Sequence, residues 1–220
     1  MISVIMPYWK RRDALIRTLK SYGNYQDIDY VIVDDGSGDD IPAKIRLPLK
    51  TVAKNPCVPI NTGVNAADGD IIVITGPEIT HRFPILGEME KSLKEFGDRG
   101  YVTAAALGQN GWHCHSSVNG KRDDTWPVPK GAGFHFCAMM YKKFFLEIGG
   151  FDEAYREGQA FDDNDFLWTL HKNNAVFCMR DDLVVDHHNV KSQWPEGGWE
   201  RNRIYFENKW KDYINEHNKL

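Results

Sequence analysis

Two acidic pairs, one glutamate and several histidines are the residues of this chain with the most chemistry to offer. Asp34 and Asp35 follow the apolar run "YVIV" and precede Gly36-Ser37, which puts them at a strand tip. Adjacent carboxylates there can accept hydrogen bonds from a nucleobase imide or ribose hydroxyls; an ordinary Asp-Gly turn is the simpler alternative. A second apolar run, "DIIVIT", ends in Thr75, Gly76 and Pro77, with Glu78 and His81 just beyond. A tip that holds a metal against a phosphate would carry a pair of aspartates. This one offers Glu78, and plain capping of the next helix competes for Glu78 and His81. Asp162, Asp163 and Asp165 open a helical stretch, where the helix N-terminus favours ionised carboxylates and where Asp is also a common cap. His187 and His188 close the run "LVVDHH". His113 and His115 bracket Cys114, and His135 precedes Cys137 by two. Alternate residues share a strand face, so a structural zinc site is an alternative there, without CxxC spacing to support it.

Alternating strands and helices must position these groups. "ISVIMP" predicts a first strand, and "RRDALIRTLKSYG" a helix with Ala14, Leu15, Thr18, Leu19 and Tyr22 on one face. "YVIVDD" is a second strand, "KTVAK" a short third, "PINTGVNAADGD" a helix of small residues, and "DIIVIT" a fourth strand. "FPILGEMEKSLKEFG" predicts a helix with Pro84 near its start and Gly97 past its end. "YVTAAAL" and "FHFCAMMY" read as strands, separated by a long loop over 108–133. "KKFFLEIGG" and "DDNDFLWTLHKNN" read as helices, "AVFCM" and "LVVDHH" as two brief strands. A last helix begins near Glu200, with Ile204, Trp210, Tyr213 and Ile214 as its apolar contacts. The order implies an α/β fold with a mainly parallel sheet covered on both faces. In such sheets ligands bind beyond the carboxyl ends of the strands, where both acidic tips lie.

The 220 residues are enough to bury a proper core. A formal net charge of -4 leaves no basic excess to neutralise nucleic-acid phosphates. Seven tryptophans in a chain of this size offer platforms for the apolar faces of sugars, although most tryptophans fill cores. The cysteines Cys57, Cys114, Cys137 and Cys178 are widely spaced, as expected for reduced thiols in the cytoplasm. A strand from Ile2 leaves no room for a signal peptide, and no apolar run approaches membrane-spanning length. Peripheral membrane contact stays open.

Taken together, "SVIMPYWKR", "VIVDDGSGDD", "NTGVNAADGDIIVIT", "GGFDEAY" and "DDNDFLWTL" follow the order and spacing of the family 2 nucleotide-sugar glycosyltransferases, which have the GT-A fold. The resemblance spans roughly residues 2–190. "VDDGS" alone is moderately specific; five pieces in order are far more so. The resemblance implies that Pro7, Tyr8, Asp34, Asp35 and Asn61 face the nucleotide. Ile60 stands where an arginine commonly precedes that asparagine. Thr75, at the nucleotide end of its strand, and Pro77 occupy the usual places of the metal-binding aspartates. Glu78 is the nearest replacement, and a histidine after the acidic motif, His187 first and His188 second, would complete a site for a weakly held Mn²⁺ or Mg²⁺. Asp163 matches the general base of an inverting transfer and Asp162 the carboxylate that orients the acceptor. Trp112, His113 and Trp126 belong to the loop expected to meet donor or acceptor.

The expectation is a single GT-A domain over 1–220, with a nucleotide-binding half at 1–107, an acceptor and catalytic half at 108–199, and a C-terminal helix at 200–220. Its partners would be a nucleotide-sugar donor, most simply a UDP-sugar, and a glycan or lipid-linked saccharide, in polysaccharide assembly. The alternatives are a nucleotidyltransferase, whose Gly-rich signature "MPYWKRR" lacks, and a non-catalytic saccharide- or nucleotide-binding domain.

Overall fold

The computed structural model describes residues 1–23, 25–48, 55–115, 135–188 and 197–217. Along the chain lie β1 (Ile2–Tyr8), α1 (Arg12–Ser21), β2 (Ile28–Asp34), β3 (Ile45–Arg46), α2 (Cys57–Asn65), β4 (Ile71–Thr75), β5 (Ile79–His81) and α3 (Leu86–Phe96). They continue with β6 (Gly100–Gly108), β7 (Gly111–Cys114), β8 (Cys137–Tyr141), α4 (Lys142–Glu147), α5 (Asp162–Lys172), β9 (Val176–His187) and α6 (Gly198–His217). The strands form one sheet in the order β3-β2-β1-β4-β8-β6-β9-β5, with β7 paired to β6. β3, β2, β1 and β4 run parallel, β8 enters antiparallel between β4 and β6, and β9 returns parallel to β6.

Strand alternation divides the core between two faces. Val4, Met6 and Tyr8 of β1 pack with Leu15 of α1 and Leu86, Met89 and Leu93 of α3. Ile5, with Ile72 and Ile74 of β4, packs on the other side with Ile60 and Val64 of α2, Phe144 and Phe145 of α4, and Phe166, Leu167 and Leu170 of α5. The small residues of α2 serve that contact: a Cβ at Gly63 would stand 2.7 Å from Ile5 and 3.1 Å from Val33, so only glycine lets the helix lie this close. A third cluster, Tyr155, Phe161, Trp168, Phe206 and Trp210, seals α6 onto α5.

The structure revises several local expectations. "AVFCM" and "LVVDHH" are one strand, β9, whose charged middle Arg180-Asp181-Asp182 hid its continuity; its register against β6 shifts there, from Ala104 opposite Arg180 to Ala105 opposite Val184. Glu78-Ile79-Thr80-His81 does not cap a helix. Ile79–His81 is the strand β5, antiparallel to β9, with Ile79 opposite His187. Ile204 is 45% exposed and is no core contact; Phe206 takes that role at 3%. The strand expected at "KTVAK" and most of the 108–133 loop lie outside the described residues, though β7 claims 111–114. Among the described residues no helix is long and apolar enough to cross a membrane.

Candidate functional site

Parallel β1, β2 and β4 end together, at Tyr8, Asp34 and Thr75. Because β8 runs the other way, its first residue, Cys137, lies opposite Thr75 at this same edge, and β6 and β9 return to it. One edge therefore gathers the second-strand acidic pair, Glu78, His135 and His187.

At the β2 tip, Asp34 is buried and anchors a turn: Arg46 Nη1 donates to its carboxylate at 2.8 Å and Ser37 N at 2.9 Å. Asp35 N donates to Tyr8 O at 2.9 Å, and the residue is buried, 4% exposed. Gly36 and Gly38, at φ 72 and 74, supply the left-handed backbone that doubles the loop back. Three residues expected to face the nucleotide hydrogen-bond within the protein. Tyr8 is 1% exposed; its hydroxyl donates to the Asp39 carboxylate and accepts from Arg11 N, and burial together with Asp39 pushes its pKa up. Thr75 Oγ1 is spent on Phe136 O at 2.8 Å. Asn61 Nδ2 donates to Phe151 O and Glu153 Oε1, and its Oδ1 accepts from Phe151 N at 2.9 Å, so the amide clasps α2 to the segment before α5. Pro7 stays half-buried, beyond the last residue of β1 that pairs with β4.

Glu78 lies between Arg11 and His187. Arg11 Nη1 is 3.0 Å from its Oε2, and His187 Nε2 is 3.8 Å from Oε1. Burial alone would raise its pKa; His187 and the Arg11 guanidinium more than offset this and hold the carboxyl below the usual range. Pairing of β5 with β9 is what delivers Glu78 to His187. His188 points elsewhere, its Nε2 2.8 Å from Thr80 Oγ1. The His113 ring lies 4.7 Å from His187, and Trp112, 37% exposed, packs on His115. Trp126 lies outside the described residues. Cys137 Sγ faces His81 Nε2 and Cys114 Sγ faces Ala104 O, so the zinc alternative finds no cluster. Among the described residues no three His, Cys, Asp or Glu side chains converge as a metal centre. Glu78 Oε1, just before β5, and His187 Nε2, at the end of β9, are nonetheless one hard and one borderline donor, a pair that suits Mn²⁺ if other ligands come with a diphosphate.

The acidic pair at α5 splits into two environments. Asp162 is 4% exposed, and one of its carboxyl oxygens is buried without a hydrogen-bond partner among the described residues. Burial, then the adjacent Asp163 charge, raises its pKa well above the carboxylate range. The expected acceptor-orienting role therefore does not match its position. Asp163 has a 41%-exposed side chain, and His135 Nε2 stands 3.3 Å from its Oδ1. Arg11 carried no role in the sequence reading, and His135 entered it only through the zinc alternative. The basic run after the first strand could have flagged Arg11; His135, 28 residues before Asp163, gave no such signal.

The glycosyl transferase family 2 model matches residues 3–149. Comparison with curated proteins finds no significant relative. Among solved structures, S. aureus TarS 1-349 aligns with a TM-score of 0.64 at 15% identity, covering 85% of this chain and 60% of that one. The same protein in complex with UDP-GlcNAc gives 0.67 at 14%, covering 88% and 60%. GalNAc-T7 with UDP, GalNAc and Mn²⁺ gives 0.73 at 12%, covering 98% of this chain and 50% of that one. The chain thus spans half to three-fifths of these neighbours, and at such identities the likeness concerns the GT-A fold alone. With its family match covering well over half the sequence, the chain belongs to glycosyl transferase family 2.

Proposed function

We propose that this glycosyltransferase moves a sugar, with inversion, from a UDP-sugar to a hydroxyl of a glycan or lipid-linked saccharide in surface-polysaccharide assembly. The observation that carries the reading is the half-exposed Asp163 at the start of α5, near the sheet edge that holds Asp35 and Glu78. Asp35 accepts hydrogen bonds from the base or ribose, and the Gly36–Gly38 turn shapes the wall against which the nucleotide lies. Asp163 takes the proton of the acceptor hydroxyl as the new C–O bond forms, while the bond to the diphosphate breaks on the opposite face of the sugar. No protein nucleophile is needed, which is why inversion follows. Glu78 and His187 are the residues that would hold a divalent ion, which when bound neutralises the charge growing on the leaving diphosphate. Arg11 stands beside them as a fixed positive charge at the same place. Neighbours whose structures hold UDP, UDP-GlcNAc and GalNAc support the donor class. Four free cysteines agree with a reducing compartment, the cytoplasm.

Thermal-shift titration with nucleoside diphosphates and their sugars, with and without Mn²⁺, tests the donor reading, because a tight ligand raises the midpoint by mass action. UDP should raise it, and more so with Mn²⁺. Glu78→Gln and His187→Ala should each weaken Mn²⁺ binding to the UDP complex, read by metal titration. Equal titrations in all three proteins would overturn the metal assignment, and tight Mn²⁺ binding without UDP would contradict it.

A further inference from the structure

We propose that His135 is a positioning residue for Asp163, donating a hydrogen bond from Nε2 to Oδ1 and so fixing which way the carboxylate faces; this rests on the reading of Asp163 as the general base. The two residues come from different elements, the turn that leads into β8 and the first turn of α5, and meet at 3.3 Å. Their exposures differ in a useful way. The His135 side chain is 10% exposed and that of Asp163 is 41%, so the protein holds one end of the carboxylate from below while the residue stays open to an acceptor.

The imidazole is itself locked. Its ring stands edge-on to Phe151, with centroids 4.9 Å apart, and to Phe166 at 6.2 Å. Those two phenyl rings stack on each other at 4.2 Å and 11°, making a rigid wall. His135 Nδ1 is buried with no hydrogen-bond partner among the described residues. A proton on Nδ1 would thus be a buried orphan donor, whereas a proton on Nε2 meets the carboxylate, so the Nε2–H tautomer is the one this pocket accepts. A general base works only if its lone pair is aimed at the proton it abstracts, and anchoring one oxygen removes the carboxylate's freedom to swing away. The buried Asp162 beside it is pushed toward its neutral form by burial and by the neighbouring Asp163 carboxylate.

Two measurements test this. Long-range ¹H–¹⁵N correlation spectra at neutral pH should show His135 as the Nε2–H tautomer with a protected proton, and Asp163→Ala should abolish that protection. An Nδ1–H tautomer, or a His135 signature unchanged in Asp163→Ala, overturns the contact without any substrate being needed. For function, UDP release from UDP-N-acetylglucosamine is followed with water as acceptor. His135→Phe should lower kcat about tenfold or more with donor KM within twofold, and His135→Gln, which can still donate, should recover most of it. Equal activity of His135→Phe and wild type, with Asp163→Ala inactive, would reject the positioning role alone. If Asp163→Ala retains turnover, the general-base reading falls, whatever the spectra say of the contact. Thermal melts of His135→Phe and His135→Gln separate misfolding from loss of function.

Discussion

Asp162 and Asp163 are neighbours of identical type, and their surroundings give them different work. Asp162, sealed in and pushed toward its neutral form, is nearly isosteric with asparagine. Asp162→Asn is therefore expected to leave turnover and acceptor KM close to wild type. Asp163→Asn keeps size and hydrogen-bonding capacity but cannot accept the proton, so turnover should fall by about 10² to 10⁴-fold with donor affinity nearly unchanged. Donor affinity and turnover measured side by side for both variants decide this; near-normal turnover in Asp163→Asn places the base elsewhere. At the nucleotide end Asp34 and Asp35 are both buried, and what separates them is the strand end. Asp34, the last residue of β2, is tied to Arg46 and the Ser37 turn, and Asp35 follows it at the strand tip. Asp35→Ala should weaken UDP binding by about 1–3 kcal/mol, the range for a lost hydrogen bond to a charged group. Calorimetry showing unchanged affinity in a folded mutant would remove Asp35 from the site. None of these divisions is written in the letters: side-chain chemistry is legible from sequence, but which of two adjacent acids is buried depends on packing from distant elements.

At the scale of elements, the continuous apolar runs that became β1, β2 and β4 were legible because a strand buried on both faces leaves no polar alternation. The edge strand β5 is only three residues long, and its one decisive partner, β9, lies a hundred residues away, so nothing local could announce it. Tyr8, Thr75 and Asn61 sit where the family pattern puts nucleotide contacts, and each hydroxyl or amide also finds a protein partner that the sequence did not announce. The C-terminal helix was readable as a helix but not as a brace. Asn202, fully buried, donates to Tyr155 O at 3.0 Å and to Ala160 O at 2.9 Å. A Cβ at Gly158 would lie 2.1 Å from its Oδ1, so the loop and the amide are fitted to each other. That loop ends in Ala160 and Phe161, both left-handed at φ 58 and 67, immediately before Asp162. Such backbone persists only where the surroundings over-determine it. Asn202→Ala removes both of these bonds, leaving Tyr155 O with Gly158 N as its donor, and should cost about 1–3 kcal/mol in chemical denaturation. Because the strained loop sets the start of α5, turnover should fall in the same variant while UDP affinity holds; loss of both in equal measure would show that the brace supports the whole domain instead.

Across the whole molecule, the two faces of the sheet differ in how they respond to acid. The face under α1 and α3 contains His81, 7% exposed, where burial lowers its pKa from 6.5 to about 4. The Tyr25 hydroxyl accepts from Ile85 N at 2.7 Å, which leaves its own proton for His81 Nδ1 at 2.8 Å. Cys137 Sγ faces Nε2 at 3.9 Å, and the Tyr22 ring packs at 4.2 Å. A proton added at Nδ1 would set two donors against each other in a site with no carboxylate. The unfolded chain binds that proton below pH 6.5 and the folded one only near 4, so the folded state loses stability as pH falls through this window, by up to about 3 kcal/mol. On the opposite face, Asp162 and Asp165 have raised pKa values, bind protons more readily when folded, and so gain stability as pH falls. The net slope for the wild type also contains Glu78, Asp29, Asp152 and Asp186, whose lowered pKa values make them lose stability as pH falls, so it does not identify His81 by itself. His81→Gln removes the titration while keeping a polar side chain at Tyr25. Denaturation curves at pH 7 and pH 5 should show wild type losing more stability than His81→Gln on acidification, and equal losses would mean that His81 is reached by water and titrates normally.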